Sequence, residues 1–181
     1  MQANWYILYT KEGWEKDVYY TLTRKKIAAF LPLTGENKSF LNSKNNSAQP
    51  LIKGYVFVNV EIEKIDSLKK IPGIINVVYW LDKPLQVKDK EVASLISFTQ
   101  QTKMLKAEKV PVDLNCSSTI ISLDNVGGIN DPYQMVKFIM PFIGYAFIGE
   151  GVVGKVKTIV KDGAEKLSVR RIFMKETSIA P

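Results

Sequence analysis

Histidine is absent from the 181 residues, and cysteine occurs once, at Cys116. The side chain whose ordinary pKa lies nearest neutrality is therefore missing, and with it every histidine-containing metal site and every Ser-His-Asp or Cys-His arrangement. A single thiol builds neither a thiolate zinc site nor an internal disulfide. No stretch approaches the ~18 uninterrupted apolar residues of a membrane-spanning helix, and the first nine residues lack the basic segment and apolar run of a secretion signal. The sequence thus predicts a cytoplasmic protein without a membrane partner. No spaced carboxylate pair stands out, so an enzyme would have to rest on Asp, Glu, Lys or Tyr alone; no catalytic residue, metal ligand or cofactor is expected. Cys116, before an Ile-Ile run, reads as a structural cysteine at the start of a strand, because a free thiol behaves as a small hydrophobe.

What is present is a folding composition, 46% hydrophobic and 24% charged, enough for one large domain or two small ones. Lys and Arg number 25 against 18 Asp and Glu, a formal charge of +7. The excess is uneven. Residues 1–106 hold 16 basic and 10 acidic side chains, and residues 107–181 hold 9 and 8, so six of the seven surplus charges fall in the first part. Anion-facing work belongs there.

The patterning predicts an α+β fold. Trp5-Tyr6-Ile7-Leu8-Tyr9 is a continuous β-forming run, expected of a central strand covered on both faces. Trp14, Val18 and Leu22 recur at spacing four on a helix reaching about Ile27, with Arg24, Lys25 and Lys26 near its C-terminus. Phe30-Leu31-Pro32-Leu33 reads as an edge strand or hairpin arm, residues 35–49 as a polar loop, and residues 50–60 as a strand entered through Gly54. A short helix over residues 62–69 stops at Pro72-Gly73. Residues 74–80 form a strand, 85–87 another, and Asp89 starts a helix carrying Val92, Leu95, Ile96 and Met104. Residues 1–106 thus form one domain, an α/β sandwich with helices on a mainly antiparallel sheet. Residues 107–115, with Pro111 and no periodicity, are the expected flexible linker. Residues 116–181 show strand signals near 119–123, 135–140, 145–148, 152–160 and 167–173, the pattern of a small β-barrel. Gly149-Glu150-Gly151 is only superficially a dinucleotide fingerprint, since no helix signal follows it.

The segments Trp5-Tyr6-Ile7-Leu8-Tyr9-Thr10-Lys11, Trp14-Glu15-Lys16, Phe30-Leu31-Pro32, Pro50-Leu51-Ile52-Lys53-Gly54-Tyr55-Val56-Phe57-Val58 and Pro72-Gly73-Ile74, in that order, resemble the N-terminal domain of the NusG family. Val78-Tyr79-Trp80-Leu81-Asp82-Lys83-Pro84 followed by Asp89-Lys90-Glu91 is similar to its RfaH and UpxY antitermination paralogues. Val136-Lys137-Phe138-Ile139-Met140-Pro141-Phe142-Ile143-Gly144 resembles the strand and Gly-Pro-Phe turn of the family's C-terminal KOW barrel, with Met140 in place of a glycine. The resemblance implies a non-enzymatic elongation or antitermination factor that docks an apolar depression onto the clamp helices of RNA polymerase's largest subunit. The walls of that depression would be Tyr9, Tyr55, Phe57 and Trp80; the reading from residues alone is that they are ordinary core, and alternation makes Tyr55 and Phe57 share whichever role applies. The resemblance further implies contact with the non-template DNA strand through Lys11, Lys16, Arg24, Lys25, Lys38 and Lys44. A small-subunit ribosomal protein or Rho would bind the C-terminal part. The alternative without polymerase is a stand-alone basic nucleic-acid-binding protein.

Overall fold

The computed structural model describes residues 2–34, 48–122 and 133–152. Strand β1 (Asn4–Thr10) leads into helix α1 (Glu15–Arg24), β2 (Ala28–Phe30) and β3 (Tyr55–Val60). A 3-10 turn at Ile62–Lys64 and helix α2 (Ile65–Leu68) precede β4 (Ile74–Val77), β5 (Tyr79–Trp80), β6 (Lys83–Pro84) and β7 (Gln86–Val87). Helix α3 (Asp89–Gln101) passes directly into β8 (Thr102–Lys109), followed by β9 (Thr119–Ser122), β10 (Tyr133–Met140) and β11 (Tyr145–Val152).

The first sheet has the order β2-β3-β1-β4, with β7 also pairing to β1, and all its ladders are antiparallel. Side chains alternate across a strand, so β1 and β3 each present two faces. Tyr6, Leu8, Val56, Val58 and Val60 pack with Val18 and Leu22 of α1 and with Ile65 and Leu68 of α2. Ile7 and Phe57 face the other way, into a cluster with Val92, Leu95 and Phe98 of α3. The central-strand expectation for residues 5–9 is met: Tyr6, Ile7 and Leu8 are all buried.

The second sheet has the order β8-β11-β10-β9. Its inner residues Leu105, Val136, Phe138, Met140 and Phe147 belong to the same buried cluster as Ile7, Phe57 and α3. Phe98 and Phe138 stand with ring centroids 5.4 Å apart, and Phe138 stacks on Phe147 at 6.4 Å. The two expected domains therefore share one core in the described residues. Residues 107–109, expected in a flexible linker, are the end of β8 paired with β11. Residues 110–113 run along the β10–β11 turn, with Val110 N–H donating to Gly144 O and Asp113 N–H to Pro141 O, both at 3.0 Å.

Residues 102–109 form a strand rather than the end of a helix and the start of a linker. Met104 takes φ +50°, and the β8–β11 register shifts between Ile148 and Glu150, so the two-residue alternation is broken by a bulge. Met104 is thereby turned outward rather than carried on α3, which ends at Gln101. Other expected bounds contract. The helix from Trp14 stops at Arg24 because Lys26 adopts φ +59°, and the Tyr55 strand begins after the turn that Gly54 makes at φ +77°. Residues 74–80 form two strands: Val78 lies between them, its N–H donating to Ile7 O and its carbonyl accepting from Leu85 N–H, both at 2.8 Å, and β5–β6 folds back through Leu81 and Asp82, both at positive φ. The described C-terminal residues are strands, as expected; the signals at 153–160 and 167–173 lie outside the described residues.

Two consequences are measurable. Phe98→Ala should cost about 3–5 kcal/mol, and chemical unfolding followed by probes in either sheet should move to the same lower midpoint, because the core is shared. Among the described residues Thr10 Oγ1 is buried with no hydrogen-bond partner, so Thr10→Val is expected to leave stability unchanged or raise it by up to about 1 kcal/mol.

Candidate functional site

The last pair of the β1–β3 ladder joins Tyr9 to Tyr55. Their rings meet edge to face, with centroids 6.2 Å apart. Tyr9 is 46% exposed, whereas Tyr55 is half-buried because Tyr145, the first residue of β11, packs against its other side at 5.9 Å. One pleat further along, Phe57 is 0% exposed and lies 6.1 Å from the Phe30 ring. Tyr55 and Phe57 share a face, as alternation requires, but they differ in access. Phe57 is core in this conformation, and Tyr55 lies at its margin.

Trp80 stands on the β5–β6 hairpin and is 49% exposed. It lines a cleft of about 240 Å³ together with Leu85, Val87, Glu91, Cys116 and Phe142. That cleft is separate from the Tyr9–Tyr55 pair, so three of the four expected wall residues lie on the β1–β3 face and the fourth lies on a neighbouring hairpin. Glu91 is buried and accepts hydrogen bonds from the Ser118 hydroxyl and, at 3.5 Å, from its N–H. This ties α3 to the segment before β9. Cys116 is exposed rather than within a strand, and its thiol donates to Asp113 Oδ2 at 3.0 Å. The carboxylate raises the thiol pKa, which disfavours the reactive thiolate.

Of the expected phosphate-binding residues, Lys11 follows β1 and is exposed, with its N–H donating to Gly73 O at 2.8 Å. Lys16 is half-buried on the first turn of α1, and Arg24 and Lys25 are exposed at its C-terminal end. A ten-residue helix is about 15 Å long, so these cations form two groups at opposite ends of α1. Lys38 and Lys44 lie outside the described residues. Sequence reasoning missed Tyr145, which follows Gly144 (φ +71°) at the start of β11, and Glu15, whose buried carboxylate reaches Gly54. Neither has a periodic signal, since each acts through a contact distant in sequence.

Among the described residues no helix is long and apolar enough to cross a membrane, and no group of three or more acidic or thiol side chains is placed to hold a metal. The family model described as "Transcription termination factor nusG" matches residues 3–96. This is just over half of the 181 residues, and the chain belongs to the NusG family of transcription factors. The matched span takes in the first sheet and most of α3 and ends before the second sheet. A solved structure described as "Domain interaction in Thermotoga maritima NusG" is similar with a TM-score of 0.49 and 18% identity, covering 84% of this chain and 98% of that one. No curated protein matches.

The ring geometry makes Tyr55 a reporter of its cover. Burial raises the Tyr55 phenol above its ordinary value, and the Tyr145 and Tyr9 phenols add to the shift. The folded chain holds this proton more tightly than the unfolded one, so the stability linked to it is fully present below the ordinary tyrosine pKa of about 10. Stability is then lost as pH rises above that value. Alkaline absorbance titration should show one high-pKa tyrosine that disappears in Tyr55→Phe and moves towards the ordinary value in Tyr145→Ala.

Proposed function

We propose that this chain is an elongation or antitermination factor of the RfaH and UpxY type, acting without catalysis on particular long operons. Its Tyr9–Tyr55 edge and the adjacent Trp80 hairpin bind the clamp helices of RNA polymerase's largest subunit, and its basic residues Lys11, Lys16, Arg24, Lys25, Lys38 and Lys44 meet the exposed non-template DNA strand. Bridging of this kind opposes pausing and termination by holding the polymerase in its elongating form. Family membership supports the reading, and the observation that carries it is the pair of large aromatic side chains, Tyr9 and Trp80, left nearly half exposed beside a buried aromatic core. Exposed aromatics at the rim of a packed apolar face are the usual anchors of a protein interface.

Phe57 takes part on a different footing. Its burial beneath Phe30 and the shared core means that a partner reaches it only after Tyr145 and the β10–β11 hairpin move. Phosphate contacts by the cations supply affinity without sequence information. The C-terminal strands we assign to a divergent KOW-type module, supported by the 3-10 turn Pro141–Ile143 and the left-handed Gly144 that closes the β10–β11 hairpin. A small-subunit ribosomal protein or Rho is the partner class for that module.

The test is direct binding to the cognate core RNA polymerase. Tyr9→Ala and Trp80→Ala should each weaken binding by about tenfold or more while circular dichroism and the unfolding midpoint stay close to those of the parent, since both side chains are partly exposed. Phe57→Ala should lose stability as well, so it does not serve as the diagnostic variant. Unchanged polymerase binding in both exposed variants, together with salt-sensitive binding to single-stranded oligonucleotides alone, would favour a stand-alone nucleic-acid-binding protein instead.

A further inference from the structure

Glu15 is a carboxylate without an obvious reason to be buried. It is 2% exposed at the first residue of α1, and burying a charged group is costly unless hydrogen bonds compensate. Its Oε1 accepts the Gly54 N–H at 2.7 Å. Gly54 in turn accepts, through its carbonyl, the Thr10 N–H at 2.8 Å. The residue is therefore held from two sides, by the start of α1 and by the end of β1. Its φ of +77° is a conformation that side-chain-bearing residues rarely adopt. Its Cα also lies so close to Tyr9 that a Cβ would stand 3.2 Å from Tyr9 Cε2. The next residue is Tyr55, the ring partner of Tyr9.

We infer that Glu15 is the positioning residue for the Tyr9–Tyr55 pair: its carboxylate fixes the Gly54 peptide, against which the Tyr9 ring rests and from which Tyr55 departs. The inference rests on the polymerase reading of that pair. Glu15 itself is 2% exposed and so offers almost no surface to a docked protein. The neighbouring Glu12–Lys53 ion pair, 2.7 Å long, is largely solvent-exposed. An exposed pair of this kind fixes geometry weakly, which leaves the buried Glu15 contact as the specific one. A carboxylate in the first turn of α1 also complements the helix dipole. That role needs charge but not contact with Gly54, so the two roles separate by substitution.

The experiment compares Glu15→Ala, Glu15→Gln and, as a control, Glu12→Gln in the full chain, by amide proton–nitrogen spectra and by affinity for the cognate core RNA polymerase. A hydrogen bond to a carboxylate is charge-assisted, so the parent Gly54 amide proton should lie downfield, move partway upfield in Glu15→Gln and fully in Glu15→Ala. Polymerase affinity should fall about tenfold in Glu15→Ala and recover to within about threefold in Glu15→Gln, which keeps an acceptor without the charge. Glu12→Gln should change neither. If Glu15→Ala is too unstable to study, the Gln variant and Gly54→Ala, expected to disturb the Tyr9 ring resonances, carry the comparison. An unmoved Gly54 amide, or parent-like affinity in a folded Glu15→Ala, would overturn the positioning role. A parent protein that fails to bind polymerase while the Gly54 amide responds as expected would overturn the functional reading and leave the geometry standing.

Discussion

A β-sheet whose two faces are both apolar has to be covered twice, and this requirement organises the whole chain. In β1 the three consecutive side chains of Tyr6, Ile7 and Leu8 are all buried, so neither face of the strand tolerates water. Helices α1 and α2 cover one face through Val18, Leu22, Ile65 and Leu68. On the other face α3 contributes Val92, Leu95 and Phe98 with Ile96 at the margin, and further cover comes from Leu51, Ile52 and the second sheet. Because β8 follows α3 without an intervening loop, the second sheet starts from the helix it must pack beside. Phe98 and Phe138 are the direct result.

Under the polymerase reading, that covering gives the same aromatic face two roles, core and interface. Burial free energy is non-directional and follows the apolar area removed from water. Phe57 and Tyr55 therefore gain from any apolar partner of suitable shape, whether Tyr145 of the same chain or a helix of another. The choice between them is a difference of affinities. An intramolecular cover has a high effective concentration, so a competing partner has to bring additional contacts. Tyr9 and Trp80 are available to make them without any prior rearrangement.

The first sheet was legible in the sequence because its signals are local. Continuous β-branched and aromatic runs gave the strands, spacing four gave α1, and glycine and proline gave the breaks. The sharing of one face by Tyr55 and Phe57 followed from alternation alone, whereas the place of Tyr9 beside them needed the β1–β3 register. The joining of the two parts was not legible, and the reason is specific. The bulge at Met104 breaks the alternation of β8 within eight residues, and the pairing of β8 with β11 spans about forty residues of chain. The partial exposure of Tyr55 depends on Tyr145, ninety residues later. No window on the sequence contains both. Glu15 presents the same difficulty: as the first helical residue after Trp14 it reads as an ordinary dipole-complementing acid, and only the fold brings Gly54 to it.

The charge asymmetry gains a location from the same structure. Several cations of the N-terminal part are offset by nearby carboxylates: Lys53 by Glu12, Lys64 by Glu61 and Lys69 by Asp66. Arg24, Lys25 and Lys26 are exposed and adjacent in sequence, and no acidic residue occurs between Asp17 and Glu36. They sit at the C-terminal end of α1, where the helix dipole supplies only about half a negative charge. The three cations concentrate positive charge at that end of the helix. Such a concentration attracts any phosphate chain and distinguishes none, since phosphate contacts carry no sequence information. Under the polymerase reading, selectivity for a particular DNA element then has to come from side chains that reach bases, and the basic end of α1 supplies the hold that lets them do so.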